Sequence, residues 1–134
     1  GIPVILRDAQ VLPIWEGTTN VLSLDLLLRS ELSAGLQALR AKVADVAAKA
    51  DTQLKNAGDA AVVAVDRAVQ WHRSTTDRDS RLSAAREFTL TLGRALQLAL
   101  LIEHAAGVAD ARDRSSATAA ALRFHRNGID RLLR

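Results

Sequence analysis

The chain of 134 residues has no cysteine, methionine or tyrosine, and only 3% of it is aromatic. Without cysteine there can be no disulfide scaffold, thiolate metal site or cysteine nucleophile. A cytoplasmic protein, the compartment expected here, has no need of disulfides. There are only two prolines, Pro3 and Pro13, so nothing beyond residue 13 forbids long helices. Long apolar runs are missing too. Stretches such as 98–102 fall far short of the ~18 apolar residues that a membrane-crossing helix needs. The first eight residues lack the basic start, apolar core and small-residue cleavage site of a signal peptide. Neither sign of charge dominates, because 18 Lys and Arg against 15 Asp and Glu leave a net +3. Arg73, Arg78, Arg81 and Arg86 are interrupted by Asp77, Asp79 and Glu87. That pattern is a solvated helix surface rather than a concentrated nucleic-acid interface, and no strong membrane signal accompanies it.

What the chain does contain is alanine, leucine and valine, within a hydrophobic share of 49%. Alanine and leucine favour helices, and strands would call for more β-branched and aromatic alternation. The fold class expected is therefore all-α, a helical bundle preceded by a short extended segment over residues 1–17. Helices are expected at about 20–31, 34–50, 59–74, 81–110 and 116–126, from apolar residues spaced three and four apart. Val21, Leu24 and Leu28 share a face of the first, which Leu22, Leu26 and Leu27 widen. An apolar arc that broad suggests burial on more than one side. Leu36, Leu39, Val43 and Val46 mark the second, and Val62, Val65 and Val69 the third. Phe88, Leu92, Ala95, Ala99 and Ile102 mark the fourth, and Ala117, Ala120, Ala121 and Phe124 the last. Thr18 or Thr19, Ser33, Asp59 and Ser80 are candidate caps. Asn56-Ala57-Gly58 suggests a turn, and 112–116 a charged loop.

One segment carries reactive chemistry. Glu16 is the sole charge within residues 9–21, with Trp15 before it and Gly17, Thr18 and Thr19 after it. Desolvation beside apolar and aromatic surface raises a carboxylate's pKa, which makes it an effective base near neutral pH. The same glutamate also suits a plain charge near a helix start, where negative charge is favoured. His72, His104 and His125 are too far apart for a local metal site, and no Glu-x-x-His pair exists to hold iron. They are expected at the surface or at helix ends, so no metal is expected.

The run Arg7-Asp8-Ala9-Gln10-Val11-Leu12-Pro13-Ile14-Trp15-Glu16-Gly17-Thr18-Thr19-Asn20 resembles the signature near the C terminus of acyl-CoA dehydrogenases. In that family an Arg-Asp pair is followed, after a short spacer, by an aromatic residue and Glu-Gly-Thr. The resemblance implies that Glu16 is the base that removes the α-proton of an acyl-CoA thioester, the β-hydrogen leaving as hydride to a flavin. It further implies FAD contacts at Thr18 and Asn20, and places Gly17 near substrate. Trp15 stands where tyrosine is usual and Asn20 where glutamine is common. Both features are similar to the branch with an extra C-terminal helical domain, the very-long-chain and AidB-like members.

On that likeness residues 1–31 are the end of the catalytic bundle, holding the active-site segment and its last helix. Residues 32–134 are the extra helical domain. The expected partners, in an intact parent serving fatty acid metabolism, are acyl-CoA, an electron-transfer protein and further copies of the chain. FAD belongs to that parent and is not expected to be held by this chain alone, because a few contacts cannot enclose a dinucleotide. The alternative is a non-catalytic helical module for oligomerisation or for membrane or DNA contact.

Overall fold

A computed structural model describes residues 2–15, 18–29 and 31–132. Among them are seven helices and no strand, so the fold is all-α. The helices are α1 (Ile2–Trp15), α2 (Thr19–Leu28), α3 (Leu32–Lys49), α4 (Lys55–Ser74), α5 (Arg78–Ser83), α6 (Ala85–Gly107) and α7 (Ala111–Arg126). The long helices α3, α4 and α6 pack on one another, α7 covers α6 and meets α4, and α2 packs on α6.

The three- and four-residue spacing of apolar side chains builds this core. Val43, Val46, Val65, Leu98 and Ile102 are buried together in one cluster, with small residues Ala57, Ala61 and Ala64 along the inner face of α4. A second cluster gathers Leu27, Leu32 and Leu36 around Phe88 and Leu92. Alanine faces let helices approach closely, and Gly58 takes this furthest. A Cβ added there would stand 3.0 Å from the Ala47 Cα and 3.1 Å from its Cβ. The α3–α4 contact is thus backbone against backbone, a spacing that larger residues would not permit.

Several element ends differ from expectation. Residues Ile2–Trp15 are helical rather than extended. Pro3 lies in the first turn, where its missing N–H has no intrahelical partner to lose, and Pro13 lies in the last turn. Pro3 therefore costs α1 no hydrogen bond, whereas Pro13 leaves the Ala9 carbonyl without its usual N–H donor. Residues 2–11 are all exposed. The turn expected at Asn56-Ala57-Gly58 falls earlier, where the Asp51 carboxylate accepts from the Leu54 N–H at 3.0 Å, and those three residues begin α4. The helix expected from residue 34 also starts earlier, since α3 begins at Leu32.

The single helix expected over 81–110 is two, meeting at Ala84. Its cap is Asp77 rather than Ser80, with the carboxylate accepting from the Ser80 N–H at 2.8 Å. The charged run 112–116 is helix, not loop. Asp110 accepts from the N–H groups of Arg112 and Asp113 and so starts α7 there. Arg114 then donates to the Val108 and Ala109 carbonyls at the end of α6, tying the two helices together.

Among the described residues, the stretch after α7 forms no further helix. It is held by Arg94, which donates to the Gly128 carbonyl at 2.7 Å and lies 4.7 Å from the centre of the Phe124 ring. It is also held by the buried Thr91 hydroxyl, which accepts from the Arg131 N–H at 2.9 Å. This docking buries Ile129 in the larger cluster.

Candidate functional site

The candidate site begins where α1 ends and α2 starts. Glu16 and Gly17, the expected base and substrate contact, lie outside the described residues. Thr18 and Asn20, the expected cofactor contacts, are both exposed. Thr18 takes the N-cap position with extended backbone (φ −70°, ψ 154°), and its carbonyl accepts from the Leu22 N–H at 3.0 Å. Its side chain makes no capping bond. The hydroxyl that was expected to serve the helix is left available to a ligand. Thr19 opens the helix itself, its carbonyl accepting from the buried Ser23 hydroxyl at 2.6 Å.

α2 is anchored through Ser23 and Leu27, both buried, while Val21, Leu22 and Leu28 on its other sides remain exposed. The small Ser23 and the Leu27 anchor set α2 on α6, and Asn20 then shares a cleft with residues distant in sequence. About 300 Å³ in volume, the cleft is lined by Asn20 and Leu24 of α2 together with Ser83, Arg86 and Glu87 at the α5–α6 junction. Sequence pattern offered no signal for the second group, because only the packing of α2 on α6 brings them to Asn20. A separate apolar groove of about 460 Å³ runs between α3 and α6, floored by Leu32, Leu36, Leu92 and Leu96 and opened by Gly35 and Gly93.

The histidines stand at helix ends as expected, each in the last turn of α4, α6 or α7. Among the described residues no group of three His, Asp or Glu side chains is arranged to hold a metal. Nor is any described helix long and apolar enough to cross a membrane.

His72 is partly buried, its ring 5.9 Å from that of Phe88, and its Nδ1 has no partner among the described residues. Burial, followed by the charge of Arg81, lowers its pKa below the ordinary 6.5. The unfolded chain therefore binds the proton more readily than the folded one. The contribution of His72 to stability is complete above about pH 6.5 and is lost as pH falls through the depressed folded value. Urea midpoints measured at pH 7.5 and 5.5 are expected to fall further in the wild type than in His72→Gln. Equal losses would show that this histidine does not drive the acid sensitivity.

No family model matches the chain, and no solved structure matches it. Among curated proteins it is 40% identical over 114 residues to acyl-CoA dehydrogenase family member 11 of Caenorhabditis elegans. The match covers 78% of this chain and 18% of that protein, so the chain spans less than a fifth of the length of this relative. The similarity supports a C-terminal part of an acyl-CoA dehydrogenase.

Proposed function

We propose that this chain is the C-terminal part of a flavin-dependent acyl-CoA dehydrogenase of the branch with an extra helical domain, residues 1–31 ending the catalytic bundle and 32–134 forming that domain. The observation that carries this is the 40% identity to a dehydrogenase family member, taken with the dense Arg7-Asp8 to Asn20 signature. In the intact parent Glu16 is the base. Its carboxylate takes the α-proton of the thioester.

A bound FAD would supply the hydride acceptor for the β-hydrogen. The donor set at the start of α2 fits a nucleotide: the Thr18 hydroxyl is free of capping duty and the exposed Asn20 offers both amide donor and carbonyl acceptor. Thr18 and Asn20 therefore hold cofactor and Gly17 lies against substrate. Acyl-CoA and an electron-transfer protein are the parent's partners, further copies of the chain assemble with it, and the compartment is the cytoplasm.

A second reading is supported by the exposed apolar side chains of α1 and α2, among them Ile2, Ile5, Leu6, Leu22 and Leu28. Patches of this kind mark interaction surfaces, so the chain would be an oligomerisation or contact module without catalysis. Flavin content separates the two. The complete polypeptide that contains this chain is expected to purify yellow, near one FAD per chain, and the 134-residue chain alone to purify colourless. A colourless complete polypeptide that cannot be reconstituted with FAD would favour the module.

A further inference from the structure

Three polar groups in the 300 Å³ cleft at the start of α2 have no partner among the described residues: the Asn20 amide, the Arg86 guanidinium and the Glu87 carboxylate. Arg86 differs in this from the arginines on either side of it. Arg81 is spent on the carbonyls of His72 and Thr75, and Arg94 on that of Gly128. The residues one helical turn from Arg86 are Leu82 and Ser83 before it and Thr89 and Leu90 after it, none of them acidic. Ser83 donates its hydroxyl proton to the Ser80 carbonyl at 3.0 Å, which leaves its oxygen as an acceptor toward the cleft.

The cleft therefore offers a fork of guanidinium donors, a carboxamide and two acceptors within one small volume. A bare phosphate would gain from Arg86 but be opposed by Glu87. A nucleotide satisfies both, because its phosphate oxygens accept from the guanidinium while its sugar hydroxyls donate to the carboxylate and to Ser83. The volume admits a phosphate and sugar portion, not a whole dinucleotide.

We propose that Arg86, on α6 of the helical domain, binds the pyrophosphate of the same flavin nucleotide that Asn20 contacts from α2. The inference rests on the reading of Asn20 as a cofactor contact. It gives residues 32–134 a direct part in holding the cofactor, through the packing of α2 on α6. A guanidinium is suited to the task because its planar donors match two phosphate oxygens at once and it keeps its charge at any physiological pH.

The test is titration of the apo form of the complete polypeptide with FAD and with riboflavin, which has no phosphate. The variants are Arg86→Gln, Arg86→Lys, Asn20→Ala and, as a control on the exposed face of α7, Arg123→Gln. Circular dichroism establishes that each is folded. Arg86→Gln is expected to raise the Kd for FAD about tenfold or more, the usual loss of a charge-assisted hydrogen bond. Arg86→Lys should lie between it and the wild type, while riboflavin binding to both variants and FAD binding to Arg123→Gln stay as in the wild type. If Asn20→Ala weakens FAD and Arg86→Gln does not, the inference about Arg86 is overturned and the reading of Asn20 stands. If neither does, the reading of Asn20 falls and takes this inference with it. Equal weakening by Arg123→Gln, or of riboflavin, would show a general charge or folding effect and also overturn it.

Discussion

Glu16→Gln, made in the complete polypeptide, is expected to slow flavin reduction by acyl-CoA by a factor of ~10²–10⁴ or more while leaving FAD bound. Glutamine keeps the size and shape of glutamate but has no carboxylate to take up the α-proton. The proposed cofactor contacts are other residues, Thr18 and Asn20, which the substitution leaves unchanged. Rapid-mixing absorbance and the ratio of FAD to protein read the two effects separately. Reduction at the wild-type rate would place the base elsewhere and leave Glu16 as a helix-start charge. Loss of FAD together with activity would make the segment structural for the cofactor instead.

The second large effect is on stability. Phe88 is fully buried, its ring centre 5.1 Å from that of Trp71, and it packs in the cluster that joins α2, α3, α4 and α6. Phe88→Ala removes a whole ring from a cluster that includes Leu27, Leu36 and Leu92, whose surroundings can relax only partly into the space. The cost expected is ~3–5 kcal/mol, a large share of the ~5–15 kcal/mol that holds a typical domain folded. Thermal unfolding should shift down by roughly 10–20 °C. Phe88→Leu, which keeps most of the volume, should lose far less. Similar losses for the two would show that the ring does not organise this cluster.

Helical periodicity was legible wherever a helix has one buried face and one wet one. Leu36, Val43 and Val46 on α3, and Phe88, Leu92, Ala99 and Ile102 on α6, are buried as their spacing implied. Trp71 packs on Phe88 from the end of α4. Element ends were harder to read, because they turn on which of several polar residues makes a particular hydrogen bond. Asp77 rather than Ser80, and Asp110 ahead of an arginine-rich run, capture the free N–H groups, and pattern alone ranks these candidates poorly. Ala120, expected in the last helix's apolar face, is exposed, whereas Thr118 and Ala121 are buried.

The segment around Glu16 stands out in the sequence because its residue types and spacing are contiguous. The company of Asn20 does not. Arg86 lies on another helix, and its approach depends on how closely Ser23 lets α2 settle on α6. That is a matter of packing across the fold, outside the reach of any local window.

The central claim is that the complete polypeptide containing this chain oxidises acyl-CoA thioesters. It is tested most directly by anaerobic mixing of that polypeptide with saturated acyl-CoA of several chain lengths, following flavin absorbance and analysing the thioester. The predicted result is bleaching of the flavin by at least one chain length, with one 2-enoyl-CoA formed per flavin reduced. A flavin-loaded, folded polypeptide that neither bleaches with any chain length nor yields enoyl product would contradict it.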